Sequence, residues 1–296
     1  MADIFALQTE VTNQIVIALN LELLSTEAAR PTGNPDALDY ILRGRAARNK
    51  SPSPEKYTES ISLFERALAL DPRSVEAQSE LVRELMARVV DFMADSAATD
   101  IARAEGLVEQ ALATSPRNPM VRLAKGMVLR AQTRYREAIP EYQAALASNW
   151  NWVSVLGSLA ICKFYSGSPE EVIPLLEQAI RISPRDPQLG TWYQFIGLVH
   201  MLELRTDQAI QWFEKACSAI PKHSSPHGQL AAAYALKDDT ERAAAELAKA
   251  RRAVGGDRFT SISRLQASGP FAVTEIRARF EATFFAGLRK AGMPEE

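Results

Sequence analysis

Apolar residues recur along the chain at helical spacing, and a set of small, aromatic and prolyl positions recurs at a longer fixed interval. Gly126, Ala138, Tyr142 and Ala145 are followed by Ala160, Val172, Leu176 and Ala179, then Gly197, Ala209, Phe213 and Ala216, then Ala231, Ala243, Leu247 and Ala250. The internal spacing is 12, 4 and 3 each time. Steps of 4 and 3 hold positions on one face of a helix, and the longer step carries the chain from one helix through a turn into its partner. Two earlier units fit with insertions: Gly44, Ser60, Phe64 and Ala67 carry four extra residues around Ser51 to Pro54, and Ala104, Val108 and Ala111 follow a long first helix from about Val75. Pro72, Pro116, Pro184 and Pro221 close the second helices, because proline lacks an N–H donor and disfavours a helical residue before it. Pro140 and Pro174 are placed instead in the first turn or so of second helices, where a missing donor is least harmful.

This period resembles the tetratricopeptide repeat, a helix-turn-helix of about 34 residues. The expected fold is therefore all-α, a right-handed α-solenoid of about six repeats over residues 36–255, with no meaningful sheet. Two segments flank it. Residues 1–30 hold an amphipathic helix, with Ile4, Leu7, Val11, Ile15 and Leu19 on one stripe between Asp3 and Leu24, ahead of a Pro31-Thr32-Gly33-Asn34-Pro35 linker. Residues 256–296 are turn-rich to Pro270 and then helical from about Val273 to Lys290, with Ile276, Phe280, Phe284 and Leu288 facing inward as a terminal cap.

Composition narrows the functional classes. The 34 Lys+Arg and 36 Asp+Glu nearly cancel, so no basic stripe suggests nucleic acid as a partner. The longest apolar runs, such as Ile15 to Leu19 and Ala231 to Leu236, are far shorter than the roughly 18–20 residues that span a bilayer, so no membrane insertion is expected. Asp3 and Glu10 do not fit a cleaved secretory leader. Cys162 and Cys217 are too few for a disulfide framework and are expected to be small buried apolar residues.

Longer phrases carry a second resemblance: Asp3-Ile4-Phe5-Ala6-Leu7-Gln8 with Glu10-Val11-Thr12, Asn34-Pro35-Asp36-Ala37-Leu38-Asp39-Tyr40 with Leu42-Arg43-Gly44-Arg45, and Phe284-Phe285-Ala286-Gly287-Leu288-Arg289-Lys290-Ala291-Gly292. They are similar to the C-terminal region of bacterial class III adenylate/guanylate cyclase-like proteins. That resemblance implies a cyclase or DNA-binding output domain, then an α/β domain similar to the N-terminal part of the translocation protein TolB, then a tetratricopeptide tail. This chain looks like the tail, with its first helix a remnant of the preceding domain. No position matches a catalytic residue of that family. A cytoplasmic location is implied, or a periplasmic one if the parent protein has an upstream membrane span.

No Walker-type loop, His-Glu-x-x-His, Cys-x-x-Cys or Gly-x-Ser-x-Gly occurs, and no paired aspartates on a mixed sheet are expected to hold the metals of a nucleotide cyclase. The chain is therefore expected to be non-catalytic, with no cofactor and no metal. His223 and His227 have i, i+4 spacing but read as a solvated turn without a third ligand. Asp238-Asp239 reads as a turn and helix cap, and His200 and Cys162 as packing residues. First helices of such repeats line a concave binding surface. Counting from the small residue of each unit places Leu123, Met127, Ile161, Phe164, Tyr165, Gln194, Leu198 and Met201 there, with Gly157, Gly228, Ala232 and Ala235 beside them. This mostly apolar groove suits a peptide or helix from a protein partner, or the chain's own N-terminal helix. The expected function is an interaction scaffold, the sensory or regulatory tail of a cyclase-like signalling protein. Two alternatives stand beside it: part of a cyclase whose catalytic domain lies elsewhere, and a small-molecule sensor.

Overall fold

The computed structural model describes residues 34–50, 53–91, 93–267 and 274–296. The amphipathic stretch expected at Asp3 to Leu24 lies outside them. Among the described residues the structure is helical throughout, with no strand and only an isolated bridge between His223 and Val254. The chain divides into two compact units, Met1–Trp150 and Asn151–Glu296.

The first unit contains α1 (Pro35–Arg48), α2 (Pro54–Leu70), α3 (Val75–Val90), α4 (Ala97–Thr114), α5 (Pro119–Ala131) and α6 (Tyr135–Leu146). Local sequence fixes these starts. Asn34, Ser53, Ser74, Ser96 and Asn118 precede α1 to α5, and each side chain accepts a hydrogen bond from a backbone N–H of the first turn. Proline takes the first helical position of α1, α2 and α5, where its missing donor costs nothing. Pro140 differs from expectation, because it lies inside α6 beyond the first turn, where it removes one donor from the helical ladder. The helices pair in order, α1 with α2, α3 with α4 and α5 with α6, around a core that includes Ile41, Phe64, Leu81, Leu85 and Val128.

The second unit continues the pairing with α7 (Val153–Tyr165), α8 (Val172–Ile182), α9 (Leu189–Leu202), α10 (Thr206–Ala219), α11 (Ser224–Leu236) and α12 (Thr240–Arg252). Short turns then lead to α13 (Ile262–Ala267). A terminal helix follows, built of α14 (Thr274–Phe280), a π-helical turn at Glu281–Phe285, and α15 (Ala286–Lys290).

The repeated small residue locks each hairpin. A Cβ on Gly44 would come 2.6 Å from the Phe64 ring, on Gly126 2.7 Å from the Tyr142 ring, and on Gly197 2.5 Å from the Phe213 ring. Where the small position is Ala160 or Ala231, its counterpart is the smaller Leu176 or Leu247, and all four are buried. Volume is exchanged across the hairpin while total filling is kept. Four of the turns between paired helices share a left-handed residue: Thr133, Gly167, Leu204 and Asp238 have φ of 59°, 97°, 60° and 63°. Asp239 then caps α12 by accepting from the Arg242 N–H.

Candidate functional site

First helices present two side chains one and four residues after the small position, and these define a face in each unit. In the first unit they are Arg45 and Arg48 on α1, and Met127 and Arg130 on α5. In the second unit they are Ile161 and Phe164 on α7, Leu198 and Met201 on α9, and Ala232 and Ala235 on α11. The same register therefore carries arginine at three of these four positions in the first unit, Met127 being the fourth, and apolar side chains in the second.

The terminal helix lies on the apolar face of the second unit. Its π turn meets α9 and α11, and α15 runs along α11. Phe280 stands edge-on to Phe164 with ring centroids 5.9 Å apart, and Phe164 makes the same T-shaped contact with Phe195 at 5.3 Å and Tyr165 at 5.2 Å. Gly287 passes so close to α11 that a Cβ there would sit 2.4 Å from the Ala232 carbonyl oxygen. The predicted inward stripe of Ile276, Phe280, Phe284 and Leu288 is buried, and so is Phe285, which the π turn brings inward beside Phe284. The far end is tied down. Lys290 Nζ pairs with Asp238 at 2.7 Å, and the Ile262 and Ser263 N–H groups donate to the Pro294 and Glu295 carbonyls at 2.9 and 3.0 Å.

Of the residues predicted for the groove, Ile161, Phe164, Leu198 and Met201 are buried in this second unit, and Tyr165 and Gln194 are half-buried. Leu123 is buried in the first unit, and Met127 packs half-buried against that unit's core. The terminal stripe was legible as an apolar face. Its seat across three first helices was not, because spacing along a helix shows which side is apolar but not what that side meets.

Arg45 and Arg48 of the first unit are half-buried over Glu80 and Glu84, which are fully buried. Glu80 on α3 accepts from Arg45 Nε at 2.7 Å, from Arg83 at 3.0 Å and from Arg48, while Glu76 takes the other arm of Arg45 at 2.7 Å. Beside it the buried Glu84 accepts from Lys56 Nζ and Ser60 Oγ, both at 2.7 Å. Burial alone would raise the Glu80 pKa. The attraction of Arg83, Arg48 and Arg45 outweighs it and brings the carboxyl down to about 2. The helical period places Glu76, Glu80 and Glu84 on one face of α3, but not the partners from α1 and α2 that meet them.

His223 is exposed, and His227 is not the solvated turn residue its neighbours suggest. It is buried against α12, with Nδ1 2.6 Å from Glu246 Oε2 and Nε2 3.2 Å from the Pro221 carbonyl. His200 accepts from Arg205 Nε at 2.9 Å, and burial followed by the Arg205 charge holds its pKa below the usual histidine range. Cys162 is fully buried in α7.

One tetratricopeptide-repeat family model matches residues 93–151 and another matches residues 193–223. These are tetratricopeptide repeats. Their typical work is binding rather than catalysis, and the helix pairs above are their structural form. Over 142 residues the chain is 27% identical to a protein of Rhizobium meliloti (strain 1021) described as putative adenylate cyclase 3, a match covering 47% of this chain and 24% of that protein. The matched stretch is thus about a quarter of that relative's length. Among solved structures, Pseudomonas aeruginosa PilF superposes with a TM-score of 0.55 at 17% identity, over 76% of this chain and 96% of that one. The human IFIT1 dimer with m7Gppp-AAAA gives 0.60 at 17% identity, over 88% of this chain and 59% of that one. At such identities the likeness is one of fold. No helix among the described residues is long and apolar enough to cross a membrane.

Proposed function

We propose that this tetratricopeptide chain is a protein-interaction scaffold whose second unit grips an amphipathic helix on its first-helix face, and that the helix held here is the chain's own C-terminal one. The observation carrying the reading is the seat itself: Phe280 edge-on to Phe164, and Gly287 against the Ala232 backbone. A ligand of this face is therefore a helix with aromatic residues four and five apart and a small residue where it crosses α11. Ile161, Phe164, Tyr165, Gln194, Leu198 and Met201 form or border the seat. A partner carrying such a helix would compete with residues 274–290, and the terminal segment would leave only as far as the partner's differential affinity drives it.

The similarity to a putative adenylate cyclase supports a further part of the reading, that the scaffold is the sensory or regulatory tail of a cyclase-like signalling protein. Displacement of the terminal helix would then be the event passed to the output domain.

A labelled peptide of residues 274–296 tests the seat when offered to the chain carrying Gly287→Val. The valine would clash with the Ala232 carbonyl and release the resident helix. The peptide is expected to bind this variant at least about tenfold more tightly than the unaltered chain, whose own helix competes at high effective concentration. A peptide with Phe280→Ala is expected to lose most of that binding. Equal binding of both peptides, or none by a variant that remains folded, would reduce the terminal helix to a structural cap. The signalling part is tested separately, by asking whether the gene encodes metal-binding aspartates of a cyclase upstream of this segment.

A further inference from the structure

Cys217 on α10, His227 on α11 and Glu246 on α12 bring their ligand atoms within 4.8 Å of one another, although they come from three different helices. The hydrogen bonding of His227 restricts what this cluster can hold. Nε2 lies 3.2 Å from the Pro221 carbonyl, an acceptor to which it can donate. The lone-pair side of the ring, Nδ1, then faces a Glu246 carboxylate oxygen at 2.6 Å. In that tautomer Nδ1 and Oε2 both present lone pairs to the same point, with the Cys217 sulfur beside them, and a metal ion can take the place of a hydrogen between them. An imidazole whose second nitrogen donates to a backbone carbonyl is oriented as metal-binding histidines usually are.

We propose that Cys217 Sγ, His227 Nδ1 and the Glu246 carboxylate form a binding site for a divalent transition-metal ion of borderline softness, such as Zn²⁺, with water as the fourth ligand. One thiolate, one imidazole and one carboxylate match the donor preferences of that ion. Tetrahedral bonds of about 2.0 Å to nitrogen and oxygen would separate Nδ1 and Oε2 by roughly 3.3 Å, so the pair needs to open by less than about 1 Å. Binding displaces the thiol proton to solvent. Without metal, burial, with the nearby Glu246 charge adding, pushes the Cys217 thiol up to about 12, so the sulfur is neutral and a poor nucleophile. Lys249 opposes a cation here, but its Nζ pairs with the other oxygen, Glu246 Oε1, at 2.6 Å and leaves Oε2 facing the histidine. A bound ion would clip α10, α11 and α12 together, and so fix the last two hairpins on which α15 is seated.

Cobalt titration of the full chain decides the matter. One Co²⁺ per chain is expected to bind with a thiolate-to-cobalt charge-transfer band in the near ultraviolet, and Zn²⁺ is expected to bleach it. Cys217→Ser should abolish the band, while the only other cysteine, Cys162, remains as an internal control. Glu246→Gln should weaken binding by about tenfold or more, since even outer-shell partners of metal ligands carry that much. Lys249→Ala should preserve or strengthen it. The proposal is overturned if the unaltered chain binds less than one ion, if the band survives Cys217→Ser, or if Co²⁺ binds without any thiolate band. In the last two cases the ion lies elsewhere, and a proton fills the gap between His227 and Glu246.

Discussion

The first-helix faces of the two units occupy the same register and are built from opposite chemistry. In the first, Arg45 and Arg48 close over Glu80, Glu76 and Glu84. In the second, Ile161, Phe164, Leu198 and Met201 are buried, and Phe164 meets Phe280 of the phenylalanine-rich terminal helix. The hairpins beneath are alike, because the pairing of small residue with aromatic or leucine lies on the side of each first helix that faces its partner. The frame therefore leaves positions one and four residues later free to vary. An ion-pair network is intolerant of losing one member, whereas an apolar face asks of what covers it only shape and an apolar surface.

The largest effects should come from removing the centre of each face. Glu80→Gln would leave Arg45, Arg48 and Arg83 around a neutral amide; breaking a buried pair costs about 3–5 kcal/mol, an upper bound here because the arginines are half-buried and Arg45 keeps Glu76. Phe164→Ala should cost a similar amount, about 3–5 kcal/mol, by opening a cavity among Phe195, Tyr165 and Phe280. Acid separates the two. The folded-state pKa of Glu80 is depressed, so its contribution is complete above the unfolded carboxylate range and is lost as pH falls from about 4.5 towards about 2. Amide hydrogen exchange at pH 3 should show α1 and α3 losing protection before α7 and α9. Equal loss in both units would mean that the charge network is not what holds the first face together.

The repeat frame was legible because its requirements are local and periodic. Gly126 and Tyr142, or Gly197 and Phe213, must recur at fixed separation for two helices to meet, and the separators around Pro72 or Pro184 mark where they end. What lies on the frame was legible only in part. The stripe from Ile276 to Leu288 announced a buried helix, but its position over α9 and α11 depends on the chain's path through the turns that follow α12. Glu80 with Arg45 and Arg48, and Cys217 with His227 and Glu246, are assembled across different helices. No spacing rule connects such residues, and His227 was therefore read with its sequence neighbour His223 instead of with Glu246.

An intermediate effect tests whether the frame is truly common to both units. Gly197→Ala would place a methyl 2.5 Å from the Phe213 ring, and Gly126→Ala one 2.7 Å from the Tyr142 ring. Overpacking costs about 1–3 kcal/mol, and the better helix propensity of alanine returns up to about 1 kcal/mol, so each should destabilise by about 1–2 kcal/mol. Adding Phe213→Leu or Tyr142→Leu recreates the natural combinations Ala160 with Leu176 and Ala231 with Leu247. Double-mutant cycles in denaturant should then give favourable coupling of about 1 kcal/mol or more in both units. Coupling in one unit and none in the other would show that the shared spacing conceals two different hairpin geometries.

The smallest expected effect concerns the turns, where both units again use one conformation. Thr133 and Leu204 hold φ of 59° and 60° in the turns before α6 and α10, while the corresponding position before α8 is Gly167. A left-handed backbone costs an L-residue with a Cβ roughly 1–2 kcal/mol, and glycine avoids that strain but loses about 0.5–1 kcal/mol more entropy on folding. Leu204 is 75% exposed and so gives up little packing on substitution. Thr133→Gly and Leu204→Gly should each stabilise by roughly 0.5–1 kcal/mol, read as an upward shift of the denaturation midpoint at unchanged m-value. The two gains should match, because the turn is set by the hairpin and not by the face above it. A gain at Leu204 with a loss at Thr133 would mean that the threonine side chain makes a stabilising contact of its own, and that the turns, like the faces, have diverged between the units.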